Sequence, residues 1–590
     1  MEFFCRLFFA DRTVKLPLWG ANGTAEAENC TLSWQFRDIP GGKLLDLEVQ
    51  SGGPLGIRRI DSLVFTLPKP EPDHRIAFFG NNMHCSENRF PHELGTGREY
   101  CTDCAGLFPH LAAPGTVLAG VSPFASAFGA GARKLSDGSL EYFAKTEFTE
   151  AMAQSCHLRA ERVLFCQAIT FADLYDLYAG LLPQSSFPMP KLMGWNTWDY
   201  YLDRVTPEDI AENVAALKKL PFADQLSYIV LDDGWQKEWG LWRENEKFAC
   251  GLDAVAKNIR DAGFQAGIWM APLCARPDGT VVKQHPDWFL KNADGSFFYD
   301  LELYYMDPTH PEVEAFILDN YRYLYRAGYR LFKIDYLSSI TKIRSFHDKN
   351  ATPYGAISAM IRKIIAATGE DVVILGCSLP IQCGADIAPA MRIAVDIHNH
   401  FTHAAWIAEA MTWACMYNGR VTRIDPDFMV VRGSETATEP LIWEGGRNDF
   451  VPPAMADETE DEGFRRRWRH GDQFNALEAE TWASLVAVSG GNIFLSDRMS
   501  KLNDRGITIL QQAIDCQSDR CKARFLETDR RRASVWMGDR SLVVVNWEDQ
   551  TRTVTVDGVP ALAAQKAHSW ENGTLTVTLQ PHESFIAKIK

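Results

Sequence analysis

Leu331-Phe332-Lys333-Ile334-Asp335 is the stretch that decides the fold. It is short, mostly apolar, ends in a carboxylate, and follows Ala327-Gly328-Tyr329. A glycine that closes a helix, then an apolar run, predicts a buried parallel strand entered from that helix. Side chains alternate faces along a strand, so Lys333 and Asp335 point one way and Phe332 and Ile334 the other. Two charges at the C-terminal end of a buried strand are costly unless they serve a polar site. Asp335 is therefore the first candidate catalytic carboxylate, with Lys333 beside it to keep it ionised.

The same rhythm extends to both sides. Upstream, Leu192-Met193-Gly194-Trp195-Asn196, Tyr228-Ile229-Val230-Leu231-Asp232 and Phe264 to Met270 read as strands. Between them Thr206 caps a helix over Pro207 to Leu220, and Gly263 closes another over Leu252 to Ala262. Pro311 to Arg326 is the helix that leads into the opening strand. Downstream come a helix at Ile357 to Ala367, strands at Val372 to Leu375 and Met391 to Asp396, and a helix at His403 to Tyr417. A strand at Asp427 to Val431, a helix at Leu477 to Val488 and a strand at Asn492 to Ser496 complete the series. About eight βα units predict an α/β fold, a (β/α)₈ TIM barrel with enlarged loops, closed by a helix near Ile507 to Ile514.

Before the barrel the pattern is short and alternating. Leu32 to Phe36 and Leu45 to Val49 put apolar residues on one face, and Leu63 to Leu67 stops at Pro68. These predict an N-terminal β-sandwich over residues 1–186. A helix near Phe171 to Leu182 and the linker Phe187-Pro188-Met189-Pro190 lead into the barrel, placed at 187–516. Residues 517–590 alternate again, and Glu571-Asn572-Gly573 is a hairpin signal within a small C-terminal antiparallel β-domain. The charged, irregular stretch Gly433 to Gly471 reads as a long barrel loop near the active face, or as a solvated insertion.

Composition narrows the partners. With 590 residues, 46% of them hydrophobic, the chain can bury a large core. A net charge of -16 argues against nucleic acid and against an anionic membrane. No apolar run approaches the ~20 residues of a membrane span, and Met1-Glu2-Phe3-Phe4-Cys5-Arg6 lacks the basic start of a signal peptide. The 14 cysteines form no regular framework, which with the N-terminus leads to the expectation of a cytoplasmic protein. The sequence is compatible with a homo-oligomer and does not decide it. Most of the 17 tryptophans read as core fillers, although exposed indoles suit the apolar faces of sugars.

Polar residues gather at the predicted strand ends: Asn196 and Trp198, Asp232 and Asp233, Trp269, Lys333 and Asp335, Cys377 and Ser378, Arg392 and Asp396. In a TIM barrel that end carries the site. No serine–histidine pairing, glycine-rich phosphate loop or His/Cys cluster competes for the centre, so the reading calls for no cofactor and no metal. Two carboxylates facing one cavity suit glycoside cleavage, and the partner expected is a carbohydrate substrate. Asp335 is then the nucleophile and Asp396 the acid/base. The facing carboxylate should raise the pKa of Asp396, while Arg392, four residues away on the same strand face, pulls the other way. His398-Asn399-His400 reads as a polar rim, and Asp425 and Asp427 as structural or outer positions.

Taken in order, Gly194-Trp195-Asn196-Thr197-Trp198, Asp232-Asp233-Gly234-Trp235, Gly267-Ile268-Trp269, Lys333-Ile334-Asp335 and Arg392-xxx-Asp396 resemble the retaining α-galactosidases of glycoside hydrolase families 27 and 36. Family 36 is the nearer resemblance, since its members also carry a β-sandwich before the barrel and a small β-domain after it. The resemblance implies Asp335 as nucleophile, Asp396 as acid/base, and Asp232 and Asp233 on the galactose 4- and 6-hydroxyls. It also implies Trp198 and Trp269 lining the pocket, Lys333 at hydroxyls 3 and 4, and Arg392 at the 2-position. Gly376-Cys377-Ser378-Leu379-Pro380 departs from the family's glycine run where the 2-substituent lies. That pattern resembles family 27 enzymes that accept N-acetylgalactosamine. α-N-Acetylgalactosaminidase and a raffinose-synthase-like transferase are therefore the neighbouring expectations.

Overall fold

Leu331–Ile334 forms the strand that its sequence predicts, buried along its whole length. Gly328, at φ 107°, ends the helix Pro311–Ala327 in the left-handed region that a glycine enters without cost. The computed structural model describes residues 1–590 apart from 28, 72–73, 80, 83–84, 87–95, 110–112, 122, 370, 440–472, 526–531 and 565. Most of the predicted loop Gly433 to Gly471 lies outside the described residues.

The strand pairs in parallel with Gln265–Met270 on one side and Val373–Gly376 on the other. The parallel order runs on through Tyr228–Leu231, Met193–Asn196 and Ile493–Leu495 one way, and through Ala390–Arg392 and Arg423–Asp425 the other. Strand seven is split. Arg423–Asp425 pairs with strand six, and Phe428–Met429 pairs with strand eight. Between the halves, Pro426 has no N–H to give a ladder and Asp427 sits at φ 79°. The two halves close the barrel, where the sequence suggested one strand over Asp427 to Val431.

Two further expectations are corrected. Strand six ends at Arg392 rather than Asp396, so the proximity of those two residues comes from a returning loop and not from strand alternation. The connection from strand five to strand six holds only a turn of 3₁₀ helix at Ile381–Cys383, where a full βα unit was expected. Among the described residues the longer helices of the barrel are Pro207–Leu217, Leu252–Asp261, Pro311–Ala327, Pro353–Thr368, Phe401–Ala414, Ala476–Val488 and Asp504–Asp515.

Two antiparallel sheets precede the barrel, of six and eight strands. They pack through a core that includes Leu32, Val49, Phe65 and Tyr142. After the barrel, a five-stranded and a three-stranded antiparallel sheet enclose Val544, Val556, Leu575 and Phe585. The hairpin over Ser569–Glu571 and Thr574–Leu579 turns at Asn572 (φ 50°) and Gly573 (φ 85°), the paired left-handed residues its sequence calls for. The N-terminal sheets meet the barrel where helix five is missing: Gln382 donates to both oxygens of Asp103, at 2.9 and 2.8 Å. Ten of the 17 tryptophans are buried, with Trp195, Trp235, Trp242, Trp413, Trp482 and Trp536 fully so, and most tryptophans therefore do fill the core.

Candidate active site

The chain's polar strand ends converge around Asp335. The Trp269 indole Nε1 donates to its Oδ2 at 3.1 Å, and the Tyr336 backbone N–H to its Oδ1 at 2.6 Å. Tyr336 lies at φ 62°, uncommon for a bulky residue and found where surrounding structure enforces it. Its ring meets Trp239 edge-on at 5.1 Å, and Trp239 meets Trp269 at 5.2 Å. Sequence reasoning missed both Trp239 and Tyr336. The signal for Tyr336 was its place directly after Asp335; Trp239 gives none, because it arrives on the hairpin after strand two.

Lys333 does not pair with Asp335. Its ammonium reaches across strand three to Asp232 Oδ2 at 2.7 Å, with both side chains almost fully buried. Burial alone would lower the lysine, but the Asp232 carboxylate more than reverses this and holds it above its ordinary value. Asp232 also accepts from Asn196 Nδ2 at 2.9 Å, and its Oδ1 accepts from the Asp233 N–H at 3.0 Å. Asp233 takes the Gln236 side-chain amide. Gly234 makes this turn possible: at φ 113°, a Cβ there would lie 2.6 Å from the Asp203 carbonyl oxygen.

Asp396 faces the same group of residues from the loop after strand six. Arg392 Nη2 meets its Oδ1 at 2.8 Å, and the Trp198 indole donates to its Oδ2 at 3.3 Å. Burial would raise this carboxyl, but Arg392 and then Lys333 outweigh it, and its pKa falls to about 2. The expected upward shift is therefore wrong for the free protein, because the facing charge is a guanidinium. Arg392 Nη1 binds Asp427 at 2.8 Å, and Asp427 Oδ2 accepts from the Ile397 N–H at 2.6 Å. Asp427 is fully buried, and it secures both Arg392 and the backbone next to Asp396.

Cys377 is buried, and its N–H donates to the Ile334 carbonyl at 2.7 Å. Burial first, and then the Asp335 charge, pushes its thiol well up. Ser378 follows at φ 46°, half-buried. His398, Asn399 and His400 are buried rather than forming a rim. His398 Nδ1 pairs with Asp199 Oδ1 at 2.6 Å, and Arg432 Nη1 bridges Asp199 at 2.5 Å and Asp497 at 2.9 Å. Among the described residues no cluster of His, Cys, Asp and Glu has an arrangement that could hold a metal.

Comparison with known proteins bears on the family and on the fold. The Melibiase family model matches residues 194–367, the span from strand one through Asp335 to the helix after strand four. The chain resembles the α-galactosidases of glycoside hydrolase family 36. α-Galactosidase AgaA of Geobacillus stearothermophilus is 36% identical over 73 residues, 11% of this chain and 10% of that protein. The α-galactosidase of Escherichia coli is 30% identical over 151 residues, 23% of this chain and 20% of its own length. These matches thus span well under two thirds of either relative. The crystal structure of the family 36 AgaA enzyme superposes with a TM-score of 0.61 at 12% identity, covering 95% of this chain and 81% of that one. That likeness is one of fold and extends over the flanking β-domains as well as the barrel.

Proposed function

We propose that the protein is a retaining glycoside hydrolase that removes terminal α-linked galactose by double displacement. One observation carries the reading: Asp335, at the end of strand four, and Asp396, in the loop after strand six, both act on Tyr336 and Cys377, and each accepts from a tryptophan indole. An Asp335 oxygen attacks the anomeric carbon while Asp396 gives its proton to the departing glycosidic oxygen. A galactosyl ester on Asp335 results. Asp396 then takes a proton from water, which attacks the same carbon, releases the sugar with its configuration retained and frees Asp335. Asp232, Asp233 and Lys333 supply fixed acceptors and donors for sugar hydroxyls, and Trp198 and Trp269 an apolar wall. Arg392 has to turn from Asp396 to the sugar for Asp396 to carry a proton; Asp427 stays behind as its anchor. The cysteines, which form no regular framework, support a cytoplasmic site of action.

Hydrolysis of 4-nitrophenyl α-galactoside tests this directly. Asp335→Asn is expected to lower kcat by roughly 10³-fold or more, and proton NMR to show α-galactose as the first-formed product. Full activity in Asp335→Asn, or β-galactose first, would reject the assignment. The loop at Cys377 and Ser378 makes 4-nitrophenyl α-N-acetylgalactosaminide the comparison substrate. Trisaccharide formed from two disaccharides would show a transferase instead.

A further inference from the structure

Tyr336 stands at the centre of the site, and neither displacement step above uses it. It follows the proposed nucleophile directly, and its backbone N–H donates to Asp335 Oδ1 at 2.6 Å. A tyrosine at φ 62° is costly, and such backbone persists where the surrounding structure enforces it, often at functional sites. An aromatic clamp holds the side chain. Its ring meets Trp239 edge-on at 5.1 Å, Trp239 meets Trp269 at 5.2 Å, and Arg276 lies 5.5 Å over the Trp239 ring. The clamp fixes the ring and leaves its hydroxyl open. Tyr336 is half-buried, and its phenol oxygen has no hydrogen-bond partner among the described residues.

The groups around that hydroxyl are carboxylates. Burial first, and then the charges of Asp335, Asp396 and Asp233 in that order, push the phenol well above its ordinary range. It therefore keeps its proton at neutral pH and acts through hydrogen bonds alone. A phenol oxygen accepts as well as donates. The two carboxylates foremost around it are the two that flank the anomeric carbon in the reading above. In the second displacement, the oxygen that attacks this carbon lies between Asp396 and the galactosyl ester of Asp335. Water and an alcohol differ at that point. Either gives one proton to Asp396, but water has a second O–H that needs an acceptor, and an alcohol has none.

We propose that the Tyr336 hydroxyl accepts the second O–H of the attacking water and so favours hydrolysis over transfer of galactose to an alcohol. The proposal rests on the galactoside reading above. The water oxygen bonds to the anomeric carbon as the bond from that carbon to Asp335 breaks, and the electron pair returns to the carboxylate. One water proton passes to Asp396. The other stays on the new hydroxyl, held by Tyr336, which neither gains nor loses a proton. Competition between water and methanol reads this out, as the ratio of methyl α-galactoside to galactose formed from 4-nitrophenyl α-galactoside at one methanol concentration. The ratio belongs to the active molecules and does not change with the folded fraction. Tyr336→Phe keeps the ring and removes one oxygen, and should raise the ratio about three- to tenfold, the worth of one neutral hydrogen bond. Trp239→Leu keeps the hydroxyl but releases the ring, and should raise the ratio by a smaller factor. A ratio unchanged or lowered in Tyr336→Phe overturns the proposal; if that variant does not fold, an unchanged ratio in Trp239→Leu overturns it. No nitrophenol released by the wild type would count instead against the galactoside reading.

Discussion

Asp396 and Asp427 share one guanidinium, and this arrangement sets the working state of the site. Arg392 holds Asp396 ionised in the free protein, with a pKa of about 2, whereas an acid catalyst must carry a proton. Asp427 has no solvent contact, binds the other arm of Arg392, and takes the Ile397 N–H. With Asp396 as the acid/base proposed above, Asp427 is a positioning residue for it. Asp427→Asn should cost roughly 10²-fold in kcat on a galactoside with a poor leaving group, within the range of general acid catalysis. The loss should be at least tenfold smaller on 2,4-dinitrophenyl α-galactoside, which leaves without protonation. Equal losses on both would mean a merely structural part. Asp335 could be read from sequence because strand alternation and a C-terminal strand end leave a carboxylate nowhere else to point. Asp427 could not: Asp425-Pro426-Asp427 does not say which aspartate turns inward, and the left-handed backbone at Asp427 decides it. For the same reason Lys333 was legible as a buried cation, but its partner on strand two was not, because strand order and reach are three-dimensional.

At the scale of elements, four segments that follow barrel strands are tied together by one buried ionic relay. Asp199 follows strand one, His398 follows strand six, Arg432 follows strand seven and Asp497 follows strand eight, with Arg432 in contact with both aspartates. Burial would raise Asp199, but Arg432 and then His398 hold it below the ordinary carboxylate range. The Asp497 carboxylate also accepts from the Val431 N–H at 2.7 Å, which fixes the chain leaving the split strand. Removing one partner of a buried network leaves an uncompensated charge, so Asp199→Ala should destabilise the protein by about 3–5 kcal/mol. Thermal and urea unfolding would show it, and an unchanged midpoint in both would reject the stapling role. The helices and strands were legible here because their apolar periods are strong. The relay was not, since its members are spread along the chain and none lies in a motif. The missing fifth helix was hidden as well: the short, mostly apolar connection from Cys377 to Pro389 does not say which surface covers it, and Gln382 finds Asp103 only in the fold.

At the scale of the whole molecule, the C-terminal sheets are joined to the barrel through a titratable contact. His582 Nδ1 meets Glu478 Oε1 at 2.6 Å and its Nε2 meets Asp549 at 2.9 Å, while the ring stacks on Phe401 at 4.1 Å. Glu478 has two tasks, because its other oxygen accepts from the Asn475 N–H at 3.0 Å and caps the helix Ala476–Val488. The hydrogen bond to Glu478 raises the His582 pKa above that of a free histidine, against the opposing effect of burial. A histidine raised on folding stabilises the native state fully below its unfolded value, about 6.5. That contribution disappears as pH rises through the higher folded value. The unfolding temperature of the wild type should therefore fall from pH 6 towards pH 9 by more than that of His582→Gln, in which the contact cannot titrate. Parallel curves for the two proteins would show that this junction carries no charge at neutral pH and that the docking rests on the apolar stack alone.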